Sequence, residues 1–327
     1  MKVTIRRPRR VLAAVIAAAA ALVAPLVAAP PALAAVTCNN YSSSTSTCVN
    51  ESISIGGTSY STDWYFPNGT ATALMLVEHG FSRGCGNLRG TSKSIAEQGL
   101  MVVCVNADMT GGNAALADTL GAALSARTLT PPNGKALPQK YIVGGHSAGG
   151  HFASAVGAKL NADGYANFKG AILFDPVASD GFTANLQAIS QNGARPVLAV
   201  AARPSVINLF NNSFGALADL GADFVGIQLV WTKYVLGSPS GGSCHIDVEG
   251  ENTDVIGVAG ALCSPNSTQT ARLRGMASTW AKDLATGSYT ATHYCTDSDD
   301  LSTCGSYVNT FLAPSGSLPY AAVIPNS

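Results

Sequence analysis

Charged side chains are scarce in this sequence. Asp, Glu, Lys and Arg make up only 12% of its 327 residues, whereas 47% are hydrophobic. Intrinsically disordered chains have the opposite balance, and the 34 glycines follow no collagen-like period, so both classes are excluded. Basic residues are not in excess either, because 19 Lys and Arg stand against 19 Asp and Glu. A polybasic nucleic-acid-binding protein is therefore excluded as well.

No pair of cysteines has the C-x-x-C spacing, and its absence argues against a zinc site. The eight cysteines all follow residue 35 and fall into four close pairs. Nearest-neighbour pairing predicts these disulfides: Cys38–Cys48, Cys85–Cys104, Cys244–Cys263 and Cys295–Cys304. Each would stabilise the fold by roughly 3 kcal/mol through loop closure. A reactive thiol is the alternative, but no neighbouring residue in the sequence supports one.

Residues 1–35 have the pattern of a secretory signal peptide. Basic residues and an apolar run over 11–29 come before the small-residue site Ala32-Leu33-Ala34. A membrane anchor is the alternative, but the run is rich in alanine and is broken by Pro25, so we expect no stable membrane insertion. Because the leader holds five of the 19 basic residues and no acidic one, the mature net charge would be −5. We therefore expect a secreted protein that does not bind nucleic acid.

Short apolar segments alternate with helix-like segments along most of the chain. The apolar segments are too short for buried helices and too continuously apolar for half-exposed strands, which indicates a parallel sheet covered on both faces. They lie at 73–77, 101–105, 141–143, 171–174, 197–201 and 225–231, and the helix-like segments lie at 114–127, 151–160 and 268–284. Alternating polar and apolar residues at 51–55 and 59–66 predict antiparallel strands at the start. The expected fold class is α/β, with the ligand site beyond the carboxyl ends of the strands.

Composition does not change sharply within the mature chain, so we expect one catalytic domain over residues 36–290. Residues 291–327 have few periodic apolar positions, and we predict an extension that the Cys295–Cys304 bond pins and that packs on the same domain. The acidic cluster at 296–300 could bind calcium, but a solvated loop is our interpretation.

The pattern G-x-S-x-G occurs twice, centred on Ser82 and on Ser147. In a nucleophile elbow, a strand runs directly into a sharp turn at the serine and a helix runs directly out of it. Ser147 has this context, with the predicted strand at 141–143 before it and a helix-like segment after it. Ser82 also follows a strand, but residues 83–87 are typical of a loop. We therefore predict Ser147 as the nucleophile and keep Ser82 as the alternative.

The segment before Ser82 suits a different role. Folds with such an elbow present one backbone N–H group after an earlier strand and a second just after the nucleophile, and both bind the oxyanion of the intermediate. These donors would be Phe81 and Ala148, with Gly80 permitting a close approach of the backbone. The alternative is that Gly80 only turns the chain.

A serine needs a base to take its proton and a carboxylate to orient that base. Of the five histidines, His245 fits best, because it lies late in the chain in a Gly/Ser-rich loop beside a predicted disulfide. Asp175 fits as the acid, since it ends the apolar segment 171–174 and precedes Pro176, which favours extended geometry at the residue before it. The alternative is that Asp175 is a turn aspartate. Asp247 is too close to His245 in sequence to face it.

Together these motifs resemble the α/β-hydrolase superfamily over nearly the whole mature chain. The matching residues are Gly80 after a strand, Gly145-His146-Ser147-Ala148-Gly149-Gly150, Phe174-Asp175-Pro176-Val177 and Cys244-His245-Ile246-Asp247. Within the superfamily, the chain resembles chlorophyllase-like esterases and actinobacterial cutinase-like polyester hydrolases and lipases. The polyester hydrolases usually place their acid after the seventh strand, where this sequence has Ala202-Arg203-Pro204-Ser205.

The resemblance implies an α/β-hydrolase fold, with a mostly parallel central sheet, helices on both faces and antiparallel N-terminal strands. It also implies a serine esterase that uses no metal and no organic cofactor. We therefore expect a monomeric, secreted carboxylic-ester hydrolase that forms an acyl-enzyme on a triad of Ser147, His245 and Asp175. The substrate would be a small-molecule, lipid or polyester ester. A secreted acyltransferase with the same triad is one alternative, and a non-catalytic binding protein on a hydrolase scaffold is another.

Overall fold

A mixed β-sheet lies at the centre of the structure, a computed structural model that describes residues 38–235, 238–251, 264–312 and 321–324. The strands in chain order are β1 (Ser46–Ile55), β2 (Thr58–Pro67), β3 (Leu74–Glu78), β4 (Met101–Val105), β5 (Tyr141–His146), β6 (Phe168–Phe174), β7 (Val197–Ala201), β8 (Gly226–Leu229), β9 (Lys233–Val235), β10 (Ser238–Ser240) and β11 (Ala321–Ile324). Strands β9 and β10 form a separate antiparallel pair.

The order of strands in the central sheet is β1-β2-β4-β3-β5-β6-β7-β8-β11. Neighbouring strands from β4 through β8 in this order are parallel. Strands β1 and β2 pair antiparallel at one edge, and β11 pairs antiparallel with β8 at the other. The predicted mostly parallel sheet with antiparallel N-terminal strands is therefore confirmed.

Helices cover both faces of the sheet. They are α1 (Arg89–Ala96), α2 (Ala114–Ser125), α3 (Ala148–Ala162), α4 (Phe182–Ser190), α5 (Phe214–Ala218), α6 (Ser267–Thr286) and α7 (Ser306–Leu312). Asparagine side chains cap two of them: Asn113 accepts the N–H of Leu116 in α2, and Asn266 accepts the N–H of Thr268 in α6. Each cap satisfies a backbone donor that the helix itself cannot. Among the described helices, none is both long and apolar enough to cross a bilayer.

The core has two apolar layers, one on each face of the sheet. Alternate residues of β3 belong to different layers, with Leu74 and Leu76 in one and Met75 and Val77 in the other. The Leu74 layer contains side chains of α2, α3, α4 and α5, and the Met75 layer contains side chains of α1, α6 and α7. Burial on both faces is the reason that the strand segments are continuously apolar in the sequence.

Three of the four predicted disulfides lie within the described residues and are formed: Cys38–Cys48, Cys85–Cys104 and Cys295–Cys304. The fourth prediction pairs Cys244 with Cys263, and Cys263 lies outside the described residues. The predicted signal peptide at 1–35 lies outside them as well.

Several short elements are absent from the sequence predictions. Helix α1 has few apolar residues, and α5 is only five residues long, so neither produces a clear helical period. Strand β11 lies within the segment that we expect to have few periodic positions, yet it adds an antiparallel edge strand to β8. Four residues are too few for a period of two to stand out from the surrounding loop.

A buried carboxyl group ends β3. Glu78 has no exposed surface, and its Oε1 accepts the backbone N–H of Val105 at 3.1 Å. Burial raises the pKa of Glu78 well above its usual value of 4.5, and the hydrogen bond from Val105 offsets this only in part. The folded protein therefore holds the Glu78 proton to a higher pH than the unfolded chain does.

Glu78→Gln should change how stability depends on pH. In the wild-type protein, unfolding above about pH 4.5 releases the Glu78 proton. The contribution of Glu78 protonation to the free energy of unfolding therefore falls as pH rises, by at most about 1.4 kcal/mol per pH unit. Gln does not titrate, so the variant has no such pH-dependent contribution at this position. The stability of the variant relative to the wild type should therefore increase with pH until Glu78 ionises in the folded state. Urea unfolding at several pH values measures the difference, and a difference that is constant with pH would contradict it.

Candidate active site

Ser147 stands at the sharp turn between β5 and α3. Strand β5 ends at His146 and α3 begins at Ala148, so the serine is the single residue between them. Its backbone has φ 55° and ψ −124°, a conformation that costs on the order of 1–3 kcal/mol for a residue other than glycine. The N–H of Ser147 donates to the Phe174 carbonyl at 3.1 Å, and the Val177 N–H donates to the Ser147 carbonyl at 3.2 Å. These bonds to the end of β6 hold the turn.

Gly149 allows α3 to begin close to the end of β3. A Cβ atom on Gly149 would lie 2.5 Å from the carbonyl oxygen of Glu78 and 2.7 Å from its carbonyl carbon. Cβ atoms do not approach backbone so closely, so any larger residue would push α3 away from β3 and carry Ser147 with it. The glycine is therefore required here by the close approach of two backbones.

Ser82, the centre of the other G-x-S-x-G motif, has a different setting. Its φ is also positive, at 55°, but the residue is exposed and stands in a turn four residues beyond the end of β3. A 3-10 turn at Cys85–Leu88 follows it before α1 begins at Arg89. The strand–turn–helix arrangement is present at Ser147 and not at Ser82.

Asp175 and His245 meet in the interior, although 70 residues separate them in sequence. Asp175 directly follows β6, and His245 opens the 3-10 turn His245–Val248. The Nδ1–H of His245 donates to Asp175 Oδ2 at 2.6 Å, and the two residues are 5% and 1% exposed. With the hydrogen on Nδ1, Nε2 is the basic nitrogen of the neutral ring.

The backbone of Asp175 differs from the expectation that a residue before proline is extended. Its φ is 42°, in the left-handed region. The N–H of Asp175 donates to the Val200 carbonyl of β7 at 2.8 Å, and this bond holds the residue in the reversal between β6 and Pro176. The preference for extended geometry before proline is a local one, and the fold overrides it at Asp175.

Ser147 and His245 are linked through the residue before the serine. The rings of His146 and His245 lie 4.2 Å apart between centroids, and the Nε2–H of His146 donates to the backbone carbonyl of His245 at 2.9 Å. Within the described residues, Ser147 Oγ makes no hydrogen bond to His245. Serine–histidine hydrogen bonds are often long without substrate and shorten in the complex.

The loop after β3 lies directly against the serine turn. A Cβ atom on Gly80 would lie 3.0 Å from Ser147 Cβ and 3.1 Å from His146 Nδ1. The two predicted oxyanion donors each follow a residue in this contact, Phe81 after Gly80 and Ala148 after Ser147. Ala148 is also the first residue of α3, where the backbone N–H has no partner within the helix.

A second buried carboxylate, Glu249, lies behind the serine turn. Its Oε2 accepts the Nε–H of Arg83 at 2.8 Å, and its Oε1 lies 3.5 Å from His146 Nδ1. Burial, and then the neighbouring His245, lower the pKa of His146, while Glu249 acts in the opposite direction. Sequence reasoning misses Glu249, because nothing in its local pattern shows that it contacts the Gly80 loop and the end of β5.

The loop after β7 supplies a further buried partner, Asn208, which sequence reasoning also misses. Its Nδ2 donates to Asp175 Oδ2 at 2.9 Å and to the Arg203 carbonyl at 2.9 Å. The loop from Ala202 to Ser213 contains no Asp or Glu, and an amide is not a candidate for the acid. The one feature of the sequence that points to Asn208 is its position, shortly after β7, the strand that neighbours β6.

The other candidate residues have different partners. Asp247 accepts the backbone N–H groups of Cys244 at 2.8 Å and Asn266 at 2.7 Å, so it caps a turn. In the described ranges, no three His, Cys, Asp or Glu side chains are grouped so that they could hold a metal ion.

The remaining histidines contact other groups: His79 the Gly80 carbonyl, His151 the Phe182 ring, and His293 the Tyr307 ring.

No protein-family model and no curated protein sequence matches the chain. Among solved structures, carboxyl esterase 2 of the mycorrhizal fungus Tuber melanosporum matches with a TM-score of 0.50 and 15% identity, over 85% of this chain and 98% of that one. A thermostable esterase from Pseudomonas putida matches with a TM-score of 0.47 and 12% identity, over 74% and 83%. A dienelactone hydrolase from Anabaena variabilis matches with a TM-score of 0.40 and 18% identity, over 53% and 81%. The sheet order and the likeness to the Tuber structure show that the chain has the α/β-hydrolase fold.

Proposed function

We propose that the protein is a secreted carboxylic-ester hydrolase that acts through an acyl-enzyme. Ser147 is the nucleophile, His245 the general base, and Asp175 the acid that orients His245. The observation that carries the proposal is the buried hydrogen bond of 2.6 Å between Asp175 and His245. Asp175 follows β6 and Ser147 follows β5, so both lie at the carboxyl ends of neighbouring parallel strands. The Tuber structure that shares the fold is named a carboxyl esterase, which agrees with this function.

In the acylation step, Ser147 Oγ attacks the carbonyl carbon of the ester and its proton passes to His245 Nε2. Asp175 accepts a hydrogen bond from Nδ1, which keeps the ring in the required tautomer and stabilises the imidazolium that forms. The N–H groups of Phe81 and Ala148 bind the oxyanion of the tetrahedral intermediate. The intermediate collapses when His245 returns its proton to the leaving alcohol, and Ser147 is left acylated.

In the deacylation step, water takes the place of the alcohol. His245 Nε2 accepts a proton from the water as its oxygen attacks the acyl carbon, and the oxyanion again faces the two backbone donors. Return of the proton to Ser147 Oγ releases the carboxylic acid and restores the free enzyme. Neither step requires a metal or an organic cofactor.

The loops around Ser147 carry exposed apolar side chains, which support an apolar ester as substrate. Phe81 is 56% exposed on the loop after β3, and Val206 and Phe210 are 53% and 68% exposed on the loop after β7. In the sheet order, β3 and β7 lie on opposite sides of β5, which leads to Ser147. Esters with an apolar acyl chain or an aromatic group, in a small molecule, a lipid or a polyester, would contact these side chains.

Export is part of the proposal and is supported by the amino-acid sequence. Residues 1–35 have the basic start, the apolar run and the small-residue site of a signal peptide. The disulfides Cys85–Cys104 and Cys295–Cys304 agree with an oxidising compartment.

Ser147→Ala should abolish most ester hydrolysis. Removing the nucleophile of a triad lowers kcat by at least about a thousandfold, because the other two members act only through it. The measurement is the rate on a series of p-nitrophenyl esters of increasing acyl length, with purified mature protein. Ser82→Ala is the matched control and should keep most of the activity. A comparable loss in both variants, or a larger loss for Ser82→Ala, would contradict the assignment of Ser147 as the nucleophile.

Gly80→Ala should lower kcat through the oxyanion donor rather than through binding. Its Cβ would lie 3.0 Å from Ser147 Cβ and 3.1 Å from His146 Nδ1, so the loop and the serine turn must separate by a few tenths of an ångström, which shifts the Phe81 N–H relative to Ser147. Loss of one such donor costs about 10²- to 10³-fold in kcat, and KM should change little.

Gly69→Ala is the control for this substitution, because a Cβ atom there meets nothing within 4 Å. Both variants are compared by steady-state kinetics and by thermal unfolding. A Gly80→Ala enzyme that folds and retains the wild-type kcat would contradict the expectation that the close approach at Gly80 positions the oxyanion donor.

A further inference from the structure

The acid of the proposed triad has a buried partner besides the histidine. Asn208 has no exposed surface, and its Nδ2 donates to Asp175 Oδ2 at 2.9 Å. The same oxygen accepts the Nδ1–H of His245 at 2.6 Å. Two donors on one carboxylate oxygen restrict the rotation of the carboxyl group and direct that oxygen toward His245.

The orientation of the Asn208 amide is determined by all of its contacts together. The Asp175 carboxylate and the Arg203 carbonyl, both 2.9 Å from the nitrogen, can only accept hydrogen bonds. The backbone N–H of Ser205 donates to Asn208 Oδ1 at 2.8 Å. An amide turned by 180° would face acceptors with its oxygen and a donor with its nitrogen, so only one orientation is compatible with the site.

The loop around Asn208 is held in an unusual conformation. Three consecutive residues, Leu209, Phe210 and Asn211, have φ values of 48°, 55° and 57°. The Phe210 N–H closes the turn on the Ser205 carbonyl at 2.7 Å. A run of left-handed non-glycine residues persists only where the surroundings require it, and here the turn carries the Asn208 amide to Asp175.

From these contacts we propose that Asn208 is a positioning residue that holds the Asp175 carboxylate for His245. The inference rests on the proposed esterase function and adds a fourth side chain to it. In this chain the loop after β7 provides no acid. It serves the reaction instead through an amide that fixes the acid supplied by the end of β6.

Asn208→Leu tests the proposal, because leucine has a similar size and no donor. We expect kcat to fall by about 10- to 100-fold, the range that outer hydrogen-bond partners contribute at metal sites, and KM to stay near its wild-type value. Asn212→Ala is the control. Asn212 lies in the same loop and exchanges hydrogen bonds of 2.9 Å with the backbone of Ala178, without touching Asp175. It should keep the wild-type kcat.

A double-mutant cycle with Asp175→Asn separates positioning from a structural effect. Asp175→Asn alone should lower kcat by about 10⁴-fold. If Asn208 acts only through the Asp175 carboxylate, adding Asn208→Leu to Asp175→Asn should cause no further loss. A loss that is equally large in both backgrounds, or no loss in either, would overturn the proposal. Rates are corrected with the Ser147→Ala enzyme at the same concentration.

The two possible failures can be told apart. If the wild type hydrolyses no ester, the proposed function is wrong; if Asp175→Asn or Ser147→Ala is as active as the wild type, the proposed triad is wrong; in either case this inference fails with it. If those two variants are inactive and Asn208→Leu is unchanged, only the inference fails. Should Asn208→Leu not fold, Asn208→Ala removes the same donor without adding bulk or charge, and the same loss and the same cycle are expected for it.

Discussion

Ser147 is held in its strained turn by main-chain hydrogen bonds and by close contact between neighbouring backbone segments. β5 lies between β3 and β6 in the sheet, and main-chain hydrogen bonds to the end of β6 hold the turn. Gly149 admits α3 to a distance from β3 that no larger residue permits. The strain, on the order of 1–3 kcal/mol, is offset by the packing of the helix and sheet on either side. The loops after β3 and β6 and the turn that opens at His245 are arranged around this fixed residue.

Two buried carboxylates near the turn each accept hydrogen bonds from side-chain donors. Asp175 has donors in His245 and Asn208, and Glu249 has a donor in Arg83. Burying a charge without such a partner costs several kcal/mol, whereas a well-paired set is close to neutral for stability. These contacts therefore contribute mainly to geometry. They join the end of β6, the loop after β7, the loop after β3 and the turn that opens at His245 through side chains that are nearly all inaccessible to water.

The parts of the fold that burial dictates could be predicted from the sequence. The bounds of β4 and β7 agree with the apolar segments 101–105 and 197–201, because both faces of these strands are buried. The order of strands could not be derived, since it depends on contacts between distant segments. The same limit explains why Asn208 and Glu249 escaped detection: each is an ordinary polar residue until the fold places it against a carboxylate or a histidine. The left-handed backbone of Asp175 likewise has no local signal in the sequence.

The claim that Ser147 is the reactive end of a proton relay is tested most directly by finding which serine a fluorophosphonate modifies. The purified mature protein is treated with the reagent and digested, and the modified peptide is sequenced by tandem mass spectrometry. We expect one phosphonyl group, attached to Ser147, and no labelling of a His245→Ala variant, because the hydroxyl then lacks its base. Modification of Ser82, or hydrolysis of esters by a protein in which Ser147 stays unmodified, would contradict the claim.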